Sequence, residues 1–144
     1  MRIREYQAGD YDEWLRMRRA LRPEIVQREE TQAEAWLARS DAIVIVAVRP
    51  ERGLGGFVEL GARPYADGCH TSPVAFLEGR YVDADLRPEG VGAALVRAGE
   101  EWARQQGHRE FASDALIENT ASHRAHEAVG FAEVERAVRY RKEL

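Results

Sequence analysis

One cysteine, Cys69, in 144 residues leaves no partner for an internal disulfide, and without a second thiol nearby a structural zinc site lacks its usual ligands. Long apolar runs are missing as well. The longest, Ala42-Ile43-Val44-Ile45-Val46-Ala47-Val48, is far short of the ~20 residues that cross a bilayer. The first residues also lack the charged-then-apolar plan of a secretory leader, so the expectation is a cytoplasmic protein with no membrane partner. Nor is there an excess of positive charge: Lys+Arg 21 against Asp+Glu 25 gives a net charge of -4. No field condenses such a chain onto a phosphate backbone, which excludes nucleic acid as the expected partner. A mildly acidic chain suits a cationic ligand, or solubility alone. Like-charge runs and low-complexity tracts are absent too.

What remains is an ordinary globular composition, 44% hydrophobic and 32% charged, expected to form one domain over residues 1–144. Residues 1–6 alternate weakly, and Asp10 with Glu13 forms a capping-box pattern ahead of a helix carrying Trp14, Met17 and Leu21 on one stripe. Pro23 ends or bends that helix, and a second box, Thr31 with Glu34, opens another. Residues 42–48 read as a buried strand, 56–60 as its hairpin partner and 74–82 as a third strand. Val91, Ala94, Leu95, Ala98 and Trp102 recur at helical spacing until Gly107 supplies a stop. A short strand at 109–113, a helix over 119–129 and a last strand over 131–140 complete the order. Hairpins mixed with a crossover helix predict an α/β (α+β) fold whose mixed sheet carries helices on both faces.

Arg87-x-x-Gly90-x-Gly92 follows a strand and opens a helix. Unpaired backbone N–H groups at such a bend, backed by a helix dipole, make an anion site, and glycine lets a phosphate come close. Arg87 adds a cation with forked donors. No Lys-Ser or Lys-Thr pair follows the glycines, and the third glycine and downstream acid of a dinucleotide fold are missing, so a different phosphate-bearing cofactor is required. The turn resembles the coenzyme A pyrophosphate loop of the GNAT superfamily of N-acetyltransferases. Asn119 followed by Ala128-Val129-Gly130-Phe131 is similar to that superfamily's closing helix and strand. Across most of the chain, Gly56-Phe57-Val58-Glu59, Tyr65, Asp67-Gly68-Cys69, Phe76-Leu77-Glu78-Gly79 and Ala112-Ser113-Asp114 resemble the aminoglycoside 6′-N-acetyltransferases.

The resemblance implies splayed central strands that bind acetyl-CoA, with Tyr81, Val82, Arg87, Glu89, Gly90, Val91, Gly92, Ala93 and Asn119 at the cofactor. It implies Glu78 as the base that takes the ammonium proton through water, Asp114 as a second acid, and Tyr65, Asp67 and Glu59 around the acceptor. Glu59 faces either solvent or the cleft. His126 stands where many members carry a tyrosine that protonates the departing thiolate. Its spacing to His123 is half of a metal motif with no further ligand, so no metal is expected, and Cys69 beside His70 is not a catalytic pair by adjacency alone. Two departures stand out: Arg22 where an aromatic residue is common, and Arg80 where an apolar one is, close enough on an ideal strand to pair with Glu78. The acceptor is thus an aminoglycoside or another cationic amine, a CoA-binding module without turnover is the remaining alternative, and a homodimer is expected.

Overall fold

The computed structural model describes residues 1–23 and 29–144. Five strands, β1 Arg2–Glu5, β2 Ala42–Val48, β3 Leu54–Arg63, β4 Val74–Val82 and β5 Phe111–Ser113, form one sheet in the order β1-β2-β3-β4-β5. The first three pairings are antiparallel and β4–β5 is parallel, so the sheet is mixed as the hairpin-plus-crossover order predicts. Helices α1 Tyr11–Leu21 and α2 Glu29–Leu37 pack on one face. Helix α3 Val91–Gln105 packs on the other, and α4 Thr120–Ala128 follows β5.

Covering both faces explains why β2 is a continuous apolar run. Val44 and Val46 turn to the α1/α2 layer with Trp14, Met17 and Phe57, while Ile45 and Ala47 turn to α3 with Val58, Leu60, Leu95 and Val96. Helix α3 ends as Gly107 suggests: Gly107 sits at φ 87°, His108 N–H donates to the Ala103 carbonyl and Gly107 N–H to that of Arg104.

Three expectations about element ends are corrected. Asp10 does not cap α1 with its side chain; its carboxylate accepts from Arg4 (2.7 and 3.0 Å) and from the Gln7 N–H (2.8 Å), while Glu13 accepts from the Leu54 N–H and from Arg16. Asp10 instead closes a capping box on the preceding turn over Ala8–Asp10, and Glu13 is drawn to the distant Leu54 N–H. Helix α2 begins at Glu29, ahead of Thr31. The expected strand over 131–140 does not form: Val134, Val138 and Tyr140 are exposed, and three-residue β5 gives the tail no edge long enough to pair with.

A charged clamp ties the end of β4 to the neighbouring elements. Asp83 accepts from Arg16 on α1 (3.0 and 3.1 Å) and from Arg49 after β2 (2.9 Å), and Arg49 also grips Asp85. Burial pushes the Asp83 carboxyl up, but the hydrogen bonds from Arg16 and Arg49 outweigh it and hold the group below its ordinary value. A carboxyl lowered on folding stabilises above its unfolded value, near 4, and that stabilisation is lost as pH falls through the folded value. Asp83→Asn should therefore flatten the acid limb: urea midpoints at pH 7 and pH 3 should differ less in the variant than in the wild type, and equal differences would sever the clamp from acid stability.

Candidate active site

The site is built around one extra residue. Between β3 and β4, Glu59 pairs with Gly79 but the next rung joins Leu60 to Leu77, so Glu78 is a bulge in β4. An added residue inverts the alternation beyond it. Leu77 and Arg80 stand opposite Leu60 and Val58 on the α3 face, whereas Gly79 and Tyr81 stand opposite Glu59 and Phe57 on the α1/α2 face. The bulge thereby carries Arg80 away from Glu78, with which an ideal strand would let it pair. Glu78 is held by Arg63 through two hydrogen bonds of 2.7 and 2.6 Å, and the Arg80 guanidinium lies beside Gly92, 3.9 Å from where a Cβ there would sit. Arg80 has no carboxylate partner among the described residues, and burial pushes its guanidinium down from the ordinary value.

On the α1/α2 face the bulge opens a cleft of about 320 Å³, with Arg18, Arg22, Trp36, Arg39, Glu59 and Glu78 in its walls. Glu59 faces neither open solvent nor free cleft. It is 1% exposed and accepts from Nε and Nη2 of Arg18, at 2.5 and 3.1 Å, while Arg18 also lies over the Trp14 ring at 5.1 Å. Arg39 stacks on Trp36 and donates to Asp41 and to the Ala62 carbonyl. Arg22 differs from these. Its Nη2 donates to the Glu78 carbonyl at 3.0 Å, and no carboxylate pairs with it among the described residues. The wall anticipated as acidic is an arrangement of ion pairs with one cation over.

Arg63 is the hub beside the bulge. Besides gripping Glu78 it stacks over Phe76 at 3.5 Å, and its pKa is raised chiefly by the hydrogen bonds to Glu78, with Asp114 and Tyr65 also acting on it. Asp114 and Tyr65 thus act on Arg63, both largely exposed, with Arg139 3.9 Å from the Asp114 carboxylate. Asp67 is exposed in the adjoining loop, and Val134 of the tail packs on Gly68.

Past the bulge, β4 loses its neighbour. The β4–β5 ladder stops at Leu77 with Ser113, and β4 runs on from Glu78 to Val82 with that edge unpaired. A tight turn over Ala84–Glu89 then leads to Gly90, at φ 74°, and into α3. Only glycine takes that backbone shape cheaply. The N–H groups of Val91, Gly92 and Ala93 in the first turn of α3 have no acceptor inside the helix, and no acid stands in that turn. A Cβ on Gly92 would meet nothing closer than Val82 at 3.6 Å, so the space before it is open. Arg87 does not aim all its donors outward: its Nε holds the Val82 carbonyl at 3.0 Å and braces the turn. Glu89 is exposed.

At the fork, His126 Nε2 lies 2.8 Å from the Ser113 hydroxyl and Nδ1 2.7 Å from the Ser122 carbonyl. A carbonyl only accepts, so Nδ1 carries a proton, while the Ser113 hydroxyl, which also donates to the Leu77 carbonyl at 3.3 Å, lies against Nε2. Asn119 has a local task, its side chain accepting from the Ser122 N–H to cap α4. His123 contacts the Ile117 carbonyl, and the described residues contain no cluster of three His, Cys, Asp or Glu suited to a metal. Cys69 is half-buried beside Glu110, which accepts from the His70 and Thr71 N–H groups and from the Thr71 hydroxyl and is pulled down to about 2 by those bonds.

The acetyltransferase (GNAT) family profile matches residues 11–131, a span that holds the bulge, the glycine turn and the fork alike. The chain belongs to the GNAT family of acetyltransferases. Its relatives include an aminoglycoside N(6′)-acetyltransferase type 1 of Klebsiella aerogenes, 43% identical over 146 residues and covering 99% of this chain and 96% of that one. Among solved structures, the apo aminoglycoside 6′-N-acetyltransferase of Acinetobacter haemolyticus superposes with a TM-score of 0.92 at 34% identity, covering 100% and 99%. AAC(6′)-Iy in complex with the bisubstrate analogue CoA-S-monomethyl-acetylneamine gives 0.91 at 34%, covering 99% and 98%. This GNAT acetyltransferase thus has the family's mixed sheet, flanking helices and forked centre. Two residues of its site escape sequence reasoning. Arg18 left a trace, since a cation four places after Trp14 interrupts the apolar stripe of α1, and Arg63 shares the period-two face of Glu59; Ser113 stands in the quoted Ala112-Ser113-Asp114 motif, but its contact with His126 does not follow from it.

Proposed function

We propose that this GNAT acetyltransferase moves the acetyl group of acetyl-CoA to a primary amine, with the 6′-amino group of an aminoglycoside as the acceptor. The observation that carries this reading is the bulge at Glu78, which leaves β4 unpaired toward the α3 N-terminus on one side and opens the acceptor cleft on the other. Near-full-length similarity to enzymes named for that acceptor supports its choice. The free N–H groups of Val91, Gly92 and Ala93 would hold the pyrophosphate, with the Arg80 guanidinium next to Gly92 as counter-charge, and the edge at Tyr81 and Val82 would pair with the pantetheine arm. Acetyl-CoA, when bound, supplies the activated acyl thioester.

The chain's own residues then have two proton tasks. An alkylammonium has a pKa near that of lysine, about 10.4, and attacks only as the free amine. Glu78 would take that proton through water, its orientation fixed by Arg63. The cations of the cleft assist, because like charges nearby favour the neutral amine. The Ser113 hydroxyl, on the last rung before the ladder ends, would give its proton to the departing thiolate and be reprotonated from Nε2 of His126 in its doubly protonated form, which is left neutral. Glu78→Gln should reduce kcat by about 10²-fold while leaving the acetyl-CoA KM within about twofold, in line with loss of a general base. An unaltered kcat would remove Glu78 from the role.

A second acceptor, another small primary amine, is favoured by one observation: both cleft carboxylates already hold arginines. Thiol release from acetyl-CoA with kanamycin A, polyamines and peptides in parallel separates the two, and release with none of them would leave a CoA-binding module. We also infer a homodimer, in which a second copy covers the exposed Val134, Val138 and Tyr140 of the tail. Light scattering of the purified chain reads this directly.

A further inference from the structure

Arg22 carries a charge that no carboxylate answers among the described residues. Arg18 is spent on Glu59, Arg63 on Glu78 and Arg39 on Asp41, but Arg22 has only the Glu78 carbonyl, and its Nε and Nη1 lack partners among the described residues. It is half-buried, it lines the cleft, and its Nη2 lies 3.1 Å from where a Cβ on Gly79 would stand, directly at the bulge. A cation placed there acts on an incoming amine in two ways. It favours the uncharged form of the one nitrogen that must attack, and it repels every other ammonium carried into the same space. Its idle N–H donors meanwhile match hydroxyl or carboxylate oxygens.

We propose that Arg22 is the specificity-determining residue of this cleft, admitting an acceptor ring whose reacting amine is its sole nitrogen and whose other substituents are hydroxyl or carboxylate, and turning away a ring with a second ammonium. This rests on the acetyltransferase reading above and narrows it to amino sugars of low charge on the entering ring.

Kanamycin A and kanamycin B test it, since they differ only in a hydroxyl or an amine at the 2′ position of the ring that bears the 6′-amine. The wild type should prefer kanamycin A by about tenfold in kcat/KM, between the roughly threefold penalty for two like charges about 6 Å apart in bulk water and the roughly 100-fold penalty near a protein surface. Arg22→Gln, which keeps one N–H for the Glu78 carbonyl, should bring the ratio close to one by raising the kanamycin B value, and Arg22→Lys should restore the preference. The simple sugars 6-amino-6-deoxyglucose and 2,6-diamino-2,6-dideoxyglucose are run as a second pair. A ratio near one in the wild type, or a preference that survives Arg22→Gln, would overturn the role of Arg22 while leaving the transferase intact. Turnover of the simple sugars alone would overturn the aminoglycoside acceptor, with their ratio deciding on Arg22, and turnover of neither pair by wild type or variant would overturn both.

Discussion

Glu59→Ala should lower the unfolding free energy by about 3–5 kcal/mol, enough to bring a domain of ordinary stability near its threshold at body temperature. The carboxylate is 1% exposed and meets the Arg18 guanidinium side-on through Nε and Nη2, so truncation removes both of these charge-assisted bonds from a buried cation that lies over Trp14. Breaking a buried pair by removing one member is costly, and the adjoining Trp14 ring offers only a weak substitute. Removing both charges should be far milder: Arg18→Met with Glu59→Leu should recover most of the loss, because a buried pair and an apolar pair of similar bulk are often close in free energy. Urea denaturation of the two single variants and the double variant completes the cycle. Single substitutions that cost less than about 1 kcal/mol, the scale of an exposed pair, would mean that the pair is solvated.

Gly92→Trp should abolish detectable CoA binding, a loss of about 100-fold or more, while the fold persists. A Cβ at Gly92 meets only Val82 and the Arg80 guanidinium at 3.6 and 3.9 Å, ordinary contact distances, so the protein itself tolerates a side chain there. The indole would instead fill the space in front of the free N–H groups of α3, where charge-assisted bonds to a diphosphate contribute several kcal/mol, and each 1.4 kcal/mol is a factor of ten. Thermal melting should stay close to the wild-type midpoint, and calorimetry with CoA should give no heat. Normal binding would move the diphosphate away from this turn.

Much of the architecture was legible because its signals are local. The Ala42–Val48 run, the helical spacing of Val91, Leu95 and Trp102 and the Gly107 stop each reflect the chain's own geometry, and the structure bears out all three. The glycine turn was legible for the same reason, since Gly90 needs its positive φ whatever surrounds it. What failed were inferences that carried ideal periodicity across an irregularity. Strand alternation places Arg80 beside Glu78, and a single bulge sends it to the opposite face. Asp10 and Glu13 match a capping box, yet Arg4 and the Leu54 N–H, brought by tertiary packing, claim their carboxylates. The tail over 131–140 has strand-like residues, but a strand exists only with a partner edge. The electrostatics of the cleft were the least legible, because Arg18 meets Glu59 across 41 residues and Arg63 meets Glu78 across 15, separations that no short motif encodes.

The central claim is that this chain catalyses the transfer of acetyl from acetyl-CoA to an amine. Continuous measurement of free thiol, with acetyl-CoA present and kanamycin A added, tests it in one cuvette. The expected trace rises on addition of the acceptor, saturates with its concentration and ends with one acetyl group per molecule of acceptor by mass spectrometry. A flat trace with kanamycin A and with every other primary amine supplied, from protein that is folded and binds CoA, would contradict it.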